Sequence, residues 1–391
     1  MFWLIFTFIL YIILRDIIVW RKRFIMKIIH CADLHLDSKM TANLNSKKAK
    51  ERKIELLNTF TNMIKYASDN DVKCIIIAGD LFDKSSVSKT AFNTVIQSIT
   101  DNPEITFYYL KGNHDEAALL FDTISLPENL KTFSDSWTSY RIGAYGNIVI
   151  SGVELSKDNS DKVFNELVLN NDDFNIVTLH GQESDADRKD KTEIIPLRSL
   201  KNKGIDYLAL GHIHTYKEEA LDKRGVYCYP GCLEGRGFDE CGEHGFVLLD
   251  IDEENKTFTR EFLPIAKRTL YTIEADITDL NNSVEISNKI REELERSACP
   301  LSSLIKIVLT GQVDAFCDKD VDYLLKQFDD DYYYVKIYDE TKLKVSYEDY
   351  RLDESLKGEF VRGVMSSDKY SEDEKAEIIK YGILLLSKEE I

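Results

Sequence analysis

The stretch that most limits what this chain can fold into is Cys74–Lys84, CIIIAGDLFDK. Its β-branched run Ile75–Ile77 is too short for a helix, does not alternate with polar residues, and stops at Gly79-Asp80. Such a run reads as a strand buried on both faces. A carboxylate directly after it stands at the strand's carboxyl end, where open α/β sheets bind their ligands. Alone, Gly-Asp after a strand is an ordinary turn.

Four more stretches repeat the arrangement. Lys27–Ala32 runs into Asp33-Leu34-His35, and Ile105–Leu110 ends in Lys111-Gly112-Asn113-His114-Asp115. Asn175–Leu179 ends in His180-Gly181, and Tyr207–Leu210 ends in Gly211-His212-Ile213-His214. On an extended segment, side chains two apart face the same way, so the His-x-His pair offers both rings together. Each ending taken singly is a polar turn or a core histidine. Five in one chain specify a shared metal site at the ends of a sheet.

Composition sets the surroundings. The 391 residues allow two domains, and the formal net charge of -18 opposes an unaided grip on nucleic acid. The seven cysteines include no C-x-x-C pair, so reduced thiols are expected rather than disulfides. Zinc at Cys228, Cys232 and Cys241 fits no finger spacing. Residues 1–25 are an apolar leader broken by Arg15-Asp16, read as a spurious extension or a membrane anchor. Its run before Arg15 is short of the roughly 20 residues of a bilayer span. Under the anchor reading Arg21–Arg23 would hold the following domain in the cytoplasm, and that domain is expected to be cytoplasmic either way.

Helical spacing follows the first ending, with Lys47, Lys48, Lys50, Arg52 and Lys53 read as a solvated face. After Pro264 the pattern restarts as strand Thr269–Ala275, helix Val284–Arg296, strand Leu304–Leu309, helix Asp320–Phe328 and strand Tyr332–Tyr338. Two helices close the chain. Leu356, Phe360 and Val364 mark the first, and a capping box at Ser371 and Glu374 opens the second, with Ile379, Ile383 and Leu386 on its apolar side. His30 is read as a core histidine, and His244 carries no role.

In the order D-x-H, G-D-x-x-D, G-N-H-D, H-G and G-H-x-H, the five endings resemble the calcineurin-like metallophosphoesterase superfamily. The wording ADLHLDS (Ala32–Ser38), GDLFD (Gly79–Asp83) and YPGCLEGRGFDE (Tyr229–Glu240) resembles more narrowly the SbcD/Mre11 exonuclease subunits, in their YhaO-like bacterial branch. The resemblance runs from Met26 to the C-terminus. It implies an α/β fold, a calcineurin-like four-layer αββα sandwich over 26–265. A small α/β capping domain over 266–345 and a C-terminal helical pair over 346–391 would follow.

For the site, the resemblance implies one metal on Asp33, His35, Asp80 and His214. It implies a second on Asp80, Asn113, His180 and His212, with Asp80 bridging. Nitrogen and oxygen donors without thiolate favour Mn²⁺, ahead of Fe and Zn. Two such ions activate a shared water and clamp the oxygens of an in-line phosphoryl displacement. His114 is left to stabilise or protonate the leaving oxygen, with Asp83 orienting it. Asp115 is read as structural.

Serine/threonine phosphatases carry arginine after G-D-x-x-D, whereas here Lys84 follows, so the monoester reading loses support. The resemblance then implies a 3′→5′ DNA exonuclease in repair, with single-strand endonuclease activity as an option. Arg188, Lys189, Lys191 and Arg236 are candidate phosphate contacts. A coiled-coil SbcC/Rad50-like ATPase, gripped by the terminal helices, would supply positive surface, and a homodimer is admitted. The alternatives are a phosphodiesterase for small or cyclic nucleotides and a non-catalytic scaffold of the ATPase.

Overall fold

Apolar runs of the kind read above become strands with both faces covered. In the computed structural model the described residues are 25–40, 42–83, 87–112, 125–160, 162–184, 193–314, 317–344 and 350–388. They divide into two compact units, up to Lys267 and from Arg268 onward. All of the leader except Ile25 lies outside the described residues.

In chain order the first unit's strands begin with β1 (Ile25–Cys31), β2 (Cys74–Ala78), β3 (Thr106–Leu110), β4 (Leu130–Thr132), β5 (Thr138–Ile142), β6 (Ile148–Gly152) and β7 (Phe174–His180). A short pair, β8 (Gln182–Ser184) and β9 (Ile194–Pro196), precedes β10 (Tyr207–Gly211) and β11 (Lys217–Ala220). Next come β12 (Val226–Tyr229), β13 (Gly245–Asp252) and β14 (Thr257–Pro264). One six-stranded sheet has the order β14-β13-β1-β2-β3-β4, and the other β11-β12-β10-β7-β6-β5. β1 through β4 run parallel in the first, as do β6, β7, β10 and β12 in the second. The described endings, after β1, β2, β7 and β10, therefore fall at the carboxyl ends of parallel strands.

Alternation along each strand divides its side chains between two cores. Ile28, Ile76, Tyr108 and Leu110 meet Ile150, Phe174, Ile176 and Tyr207 between the sheets. Burying each large apolar side chain contributes roughly 1.5–3 kcal/mol, so this middle layer dominates the adhesion of the sheets. On the outer face of the first sheet lie α1 (Ser46–Asp69) and α2 (Lys89–Thr100), burying Leu56, Phe60, Met63, Val95 and Ile99 against Ile29, Ile75, Ile77 and Phe107. Asn45 and Ser88 cap these helices, accepting from the N–H groups of Lys48 and Ala91. Short helices α3 (Val163–Glu166) and α4 (Leu197–Leu200) cover the second sheet over Val177, Leu179, Leu208 and Leu210. The result is an αββα sandwich.

One expectation for α1 is corrected. Arg52 is fully buried rather than solvated, because it pairs with Glu55 at 2.7 Å and Glu234 at 2.8 Å.

The second unit holds β15 (Leu270–Asp276), α5 (Ser283–Ser297), β16 (Leu304–Thr310), the two-residue β17 (Gln312–Val313), α6 (Val321–Lys326) and β18 (Tyr334–Asp339). β15, β16 and β18 form a parallel three-stranded sheet, and β17 pairs with β19 (Lys342–Leu343). Last come α7 (Leu356–Met365) and α8 (Glu372–Lys388), joined through Val361, Ile379 and Ile383. Ser371 and Glu374 form the reciprocal cap read from the sequence. On α7 Gly358 and Val361 are buried, whereas Leu356 is 66% exposed. Among the described residues, no helix is long and apolar enough to cross a membrane.

Candidate metal centre

Past β1 and β2 the chain enters two loops that lie side by side. The N–H groups of Asp33, His35 and Leu36 donate to the carbonyls of Gly79, Asp80 and Leu81 at 3.1, 2.9 and 3.0 Å. These bonds hold Asp33, His35 and Asp80 at φ of 51°, 43° and 52°. A left-handed backbone at non-glycine residues costs on the order of 1–3 kcal/mol each and persists where the surroundings impose it. The effect is to aim all three side chains at one spot.

The second sheet approaches closely from the other side. A side-chain carbon built on Gly79 would lie 2.0 Å from His180 Nδ1, and one on Gly211 would lie 1.9 Å from the Ala78 carbonyl oxygen. Only glycine permits main chains to meet in this way. His180 donates from Nδ1 to the Ala78 carbonyl at 2.9 Å, which turns Nε2 toward Asp80 Oδ2 at 3.4 Å.

Two groups of donors result, Asp33 with His35 and His214, and Asp33 with Asp80 and His180. Within each, the ligand atoms lie within 4.8 Å of one another. Asp80 Oδ2, in the second group, also lies 3.6 Å from His35 Nε2 of the first. The Nε2 atoms of His35 and His214 face each other at 3.2 Å. His212 reaches the cluster by its ring, 5.5 Å from that of His180, and by its N–H, which donates to both Asp33 oxygens. Asp33 thus belongs to both groups, which the strand endings did not foretell.

Electrostatics mark the place as unusual. Burial, joined by the charge of Asp80, raises the Asp33 carboxyl to about 6 against the pull of His180 and His214. Burial works against a charged His180, yet its bond to Asp80 and the nearby Asp33 raise it to about 9. His212 is lowered by burial and by the neighbouring His180. Closely set carboxylates and inward-facing imidazoles at this degree of burial suit a divalent cation.

The sequence reading missed the support of His214. Its Nδ1 donates to Glu240 Oε1 at 2.6 Å, and Glu240 also accepts from the Arg236 main chain and guanidinium, both at 2.7 Å. This bond leaves Nε2 of His214 as the unprotonated nitrogen, facing His35. Burial would raise the Glu240 carboxyl, but His214 and Arg236 hold it far below the usual range. A carboxylate in a glycine-rich loop shortly after the His-x-His pair was the available signal.

Other expected site residues fare differently. Asp83 lies 3.9 Å from His35 Nδ1. Arg236 is committed to Glu240 and sits 3.1 Å from His214 Nδ1. Asn113, His114, Asp115, Arg188, Lys189 and Lys191 lie outside the described residues. All seven cysteines are free, and neither donor group includes one. His30 is a core histidine, held by the Tyr207 hydroxyl at 2.8 Å.

Comparison with known proteins agrees with this geometry. The profile of the calcineurin-like phosphoesterases matches residues 26–216. The Bacillus subtilis protein named uncharacterized metallophosphoesterase YhaO is 26% identical over 295 residues, covering 72% of this chain and 71% of its own. The SbcD component of the SbcCD nuclease from Staphylococcus epidermidis is 25% identical over 302 residues, covering 68% and 76%. The DNA double-strand break repair protein Mre11 of Sulfolobus acidocaldarius is 23% identical over 306 residues, covering 74% and 76%.

Proposed function

Because the chain carries a calcineurin-like metallophosphoesterase domain over residues 26–216, we propose that it is a two-metal phosphodiesterase that degrades DNA from its ends in repair. The observation that carries this reading is the convergence of Asp33, His35, Asp80, His180 and His214 from the ends of two sheets into two donor groups. Divalent ions held there, Mn²⁺ by preference, supply Lewis acidity and an activated water for attack on a phosphodiester. His212 and Asn113 complete the proposed ligand set.

The chain's own residues do the rest. Asp80 is proposed to bridge the two ions, supported by its 3.6 Å approach to His35, and Glu240 fixes which nitrogen His214 presents. His114 is proposed to stabilise or protonate the leaving oxygen, with Asp83 proposed to orient it. Relatives named as a component of the SbcCD nuclease and as a DNA double-strand break repair protein, Mre11, support DNA as substrate; a 3′→5′ direction is the first to test. A coiled-coil ATPase of the SbcC/Rad50 type is the proposed partner. Leu356, Tyr381 and Leu385 on α7 and α8 are 66%, 61% and 68% exposed, which suits docking by these helices. A positively charged partner would also offset the net charge of -18. The free thiols fit a reducing cytoplasm.

The test is incubation of the full chain and of His114→Ala with Mn²⁺ and either linear duplex DNA or cyclic nucleotides. We expect DNA cleavage by the parent, lost in the variant while its metal content persists. Cleavage of cyclic nucleotides alone would replace the nuclease reading with that of a small-molecule phosphodiesterase.

A further inference from the structure

The loop after β12, Gly231–Glu240, is tied down at more points than a surface loop needs. At its start the Cys232 N–H donates to the His214 carbonyl at 3.1 Å. At its end Glu240 holds the His214 ring. His244 braces the two ends, with Nδ1 3.3 Å from Cys232 Sγ and Nε2 2.9 Å from the Glu240 carbonyl.

Its middle is held from α1. Arg52 donates from Nη2 to Glu234 Oε2 at 2.8 Å and to the Gly235 carbonyl at 2.9 Å, while Nη1 donates to Glu55 at 2.7 Å. The other oxygen of Glu234 accepts from the Thr59 hydroxyl and the Lys267 N–H. Lys267 Nζ lies 2.9 Å from Glu55. Arg52, Glu55 and Glu234 are thus buried together, with the exposed Lys267 reaching Glu55 from the surface. Apolar side chains filling such a space are often as stable or more so. Adhesion of the helix therefore does not explain a fully buried arginine. Its planar fork does what no apolar residue could, joining a helix carboxylate to a loop carboxylate and a loop carbonyl at once.

We propose that Arg52 is a positioning residue for phosphodiester cleavage: through Glu234 and Gly235 it fixes the Cys232–Glu240 loop, so that Glu240 holds His214 in place for its cation. The inference rests on the metallophosphodiesterase reading above.

Its test uses the full chain and a readout other than activity. Mn²⁺ is titrated calorimetrically into the parent and into R52M/E234M, in which an apolar pair of similar length fills the space. Thermal melting checks that the variant folds. We expect a cooperative melt, a loss of about tenfold in Mn²⁺ affinity, and a matching rise in the Mn²⁺ needed for half-maximal DNA cleavage. The kcat at saturating Mn²⁺ should stay within about threefold of the parent. Parental Mn²⁺ affinity in the folded variant would reduce the clamp to a structural feature and overturn the proposal, leaving the enzyme reading intact. A parent that takes up no Mn²⁺ would overturn both. Should R52M/E234M not fold, R52K keeps the charge without the fork. The same loss is expected of it, and an unchanged affinity is equally fatal.

Discussion

At their carboxyl ends the first sheet delivers Asp33, His35 and Asp80, and the second delivers His180, His212 and His214. The negative charge comes from one side and most of the imidazole nitrogen from the other. The two sets are also held differently. The first-sheet donors sit on left-handed backbone locked by main-chain bonds between neighbouring loops. In the second, His180 leans on the Ala78 carbonyl of the opposite sheet and His214 on the distant Glu240. Each donor group draws on both sheets, Asp33 and His35 with His214, and Asp33 and Asp80 with His180. The middle core is thus a condition of the chemistry as well as of stability.

The sharpest way to break this division is Asp80→Asn, which removes a first-sheet charge that lies within 3.4 Å of His180 and 3.6 Å of His35. We expect Mn²⁺-dependent cleavage to fall on the order of a thousandfold, measured as kcat/KM. Removing one ring from each sheet, as His35→Ala and His180→Ala, should cost about a hundredfold each. Metal analysis should then find one ion lost per variant, and loss of both from either would show that the sheets do not load independently. Glu240→Gln keeps the ligands and weakens only the support. A drop of about tenfold in Mn²⁺ affinity is expected by titration.

The smallest effect concerns the junction of the sheets. His30 on β1 meets Tyr207 on β10, and burial pushes its pKa down to about 3 from an ordinary 6.5. The folded state therefore keeps His30 neutral where the unfolded chain takes up a proton. Stability should decline as pH falls from 6.5 toward about 3. Urea midpoints across this window should fall less steeply in His30→Gln than in the parent. Equal slopes would remove His30 from the account of acid sensitivity.

Most of the sandwich was legible because its signal is local. Each strand and its terminal residue lie within one short window, so Ile75–Asp80 could be read without knowing its neighbours. The same holds for the Ser371–Glu374 cap. Arg52 was misread because its partner Glu234 is 182 residues away, and on helical spacing alone a basic residue among lysines looks solvated. Glu240 escaped because its bond to His214 reaches across 26 residues, with β11 and β12 in between. The membership of Asp33 in both donor groups depends on how two sheets face each other, which no single strand encodes.

The near contact of Gly211 with the Ala78 carbonyl has a consequence for how such a site can change. Main chain rests on main chain there, so the gap between the two halves is a fixed gauge that no neighbouring side chain adjusts. A methyl group at position 211 would act as a shim, prising apart every donor pair together. New substrates would have to be met by reshaping the rim, with the seat beneath left at its original width.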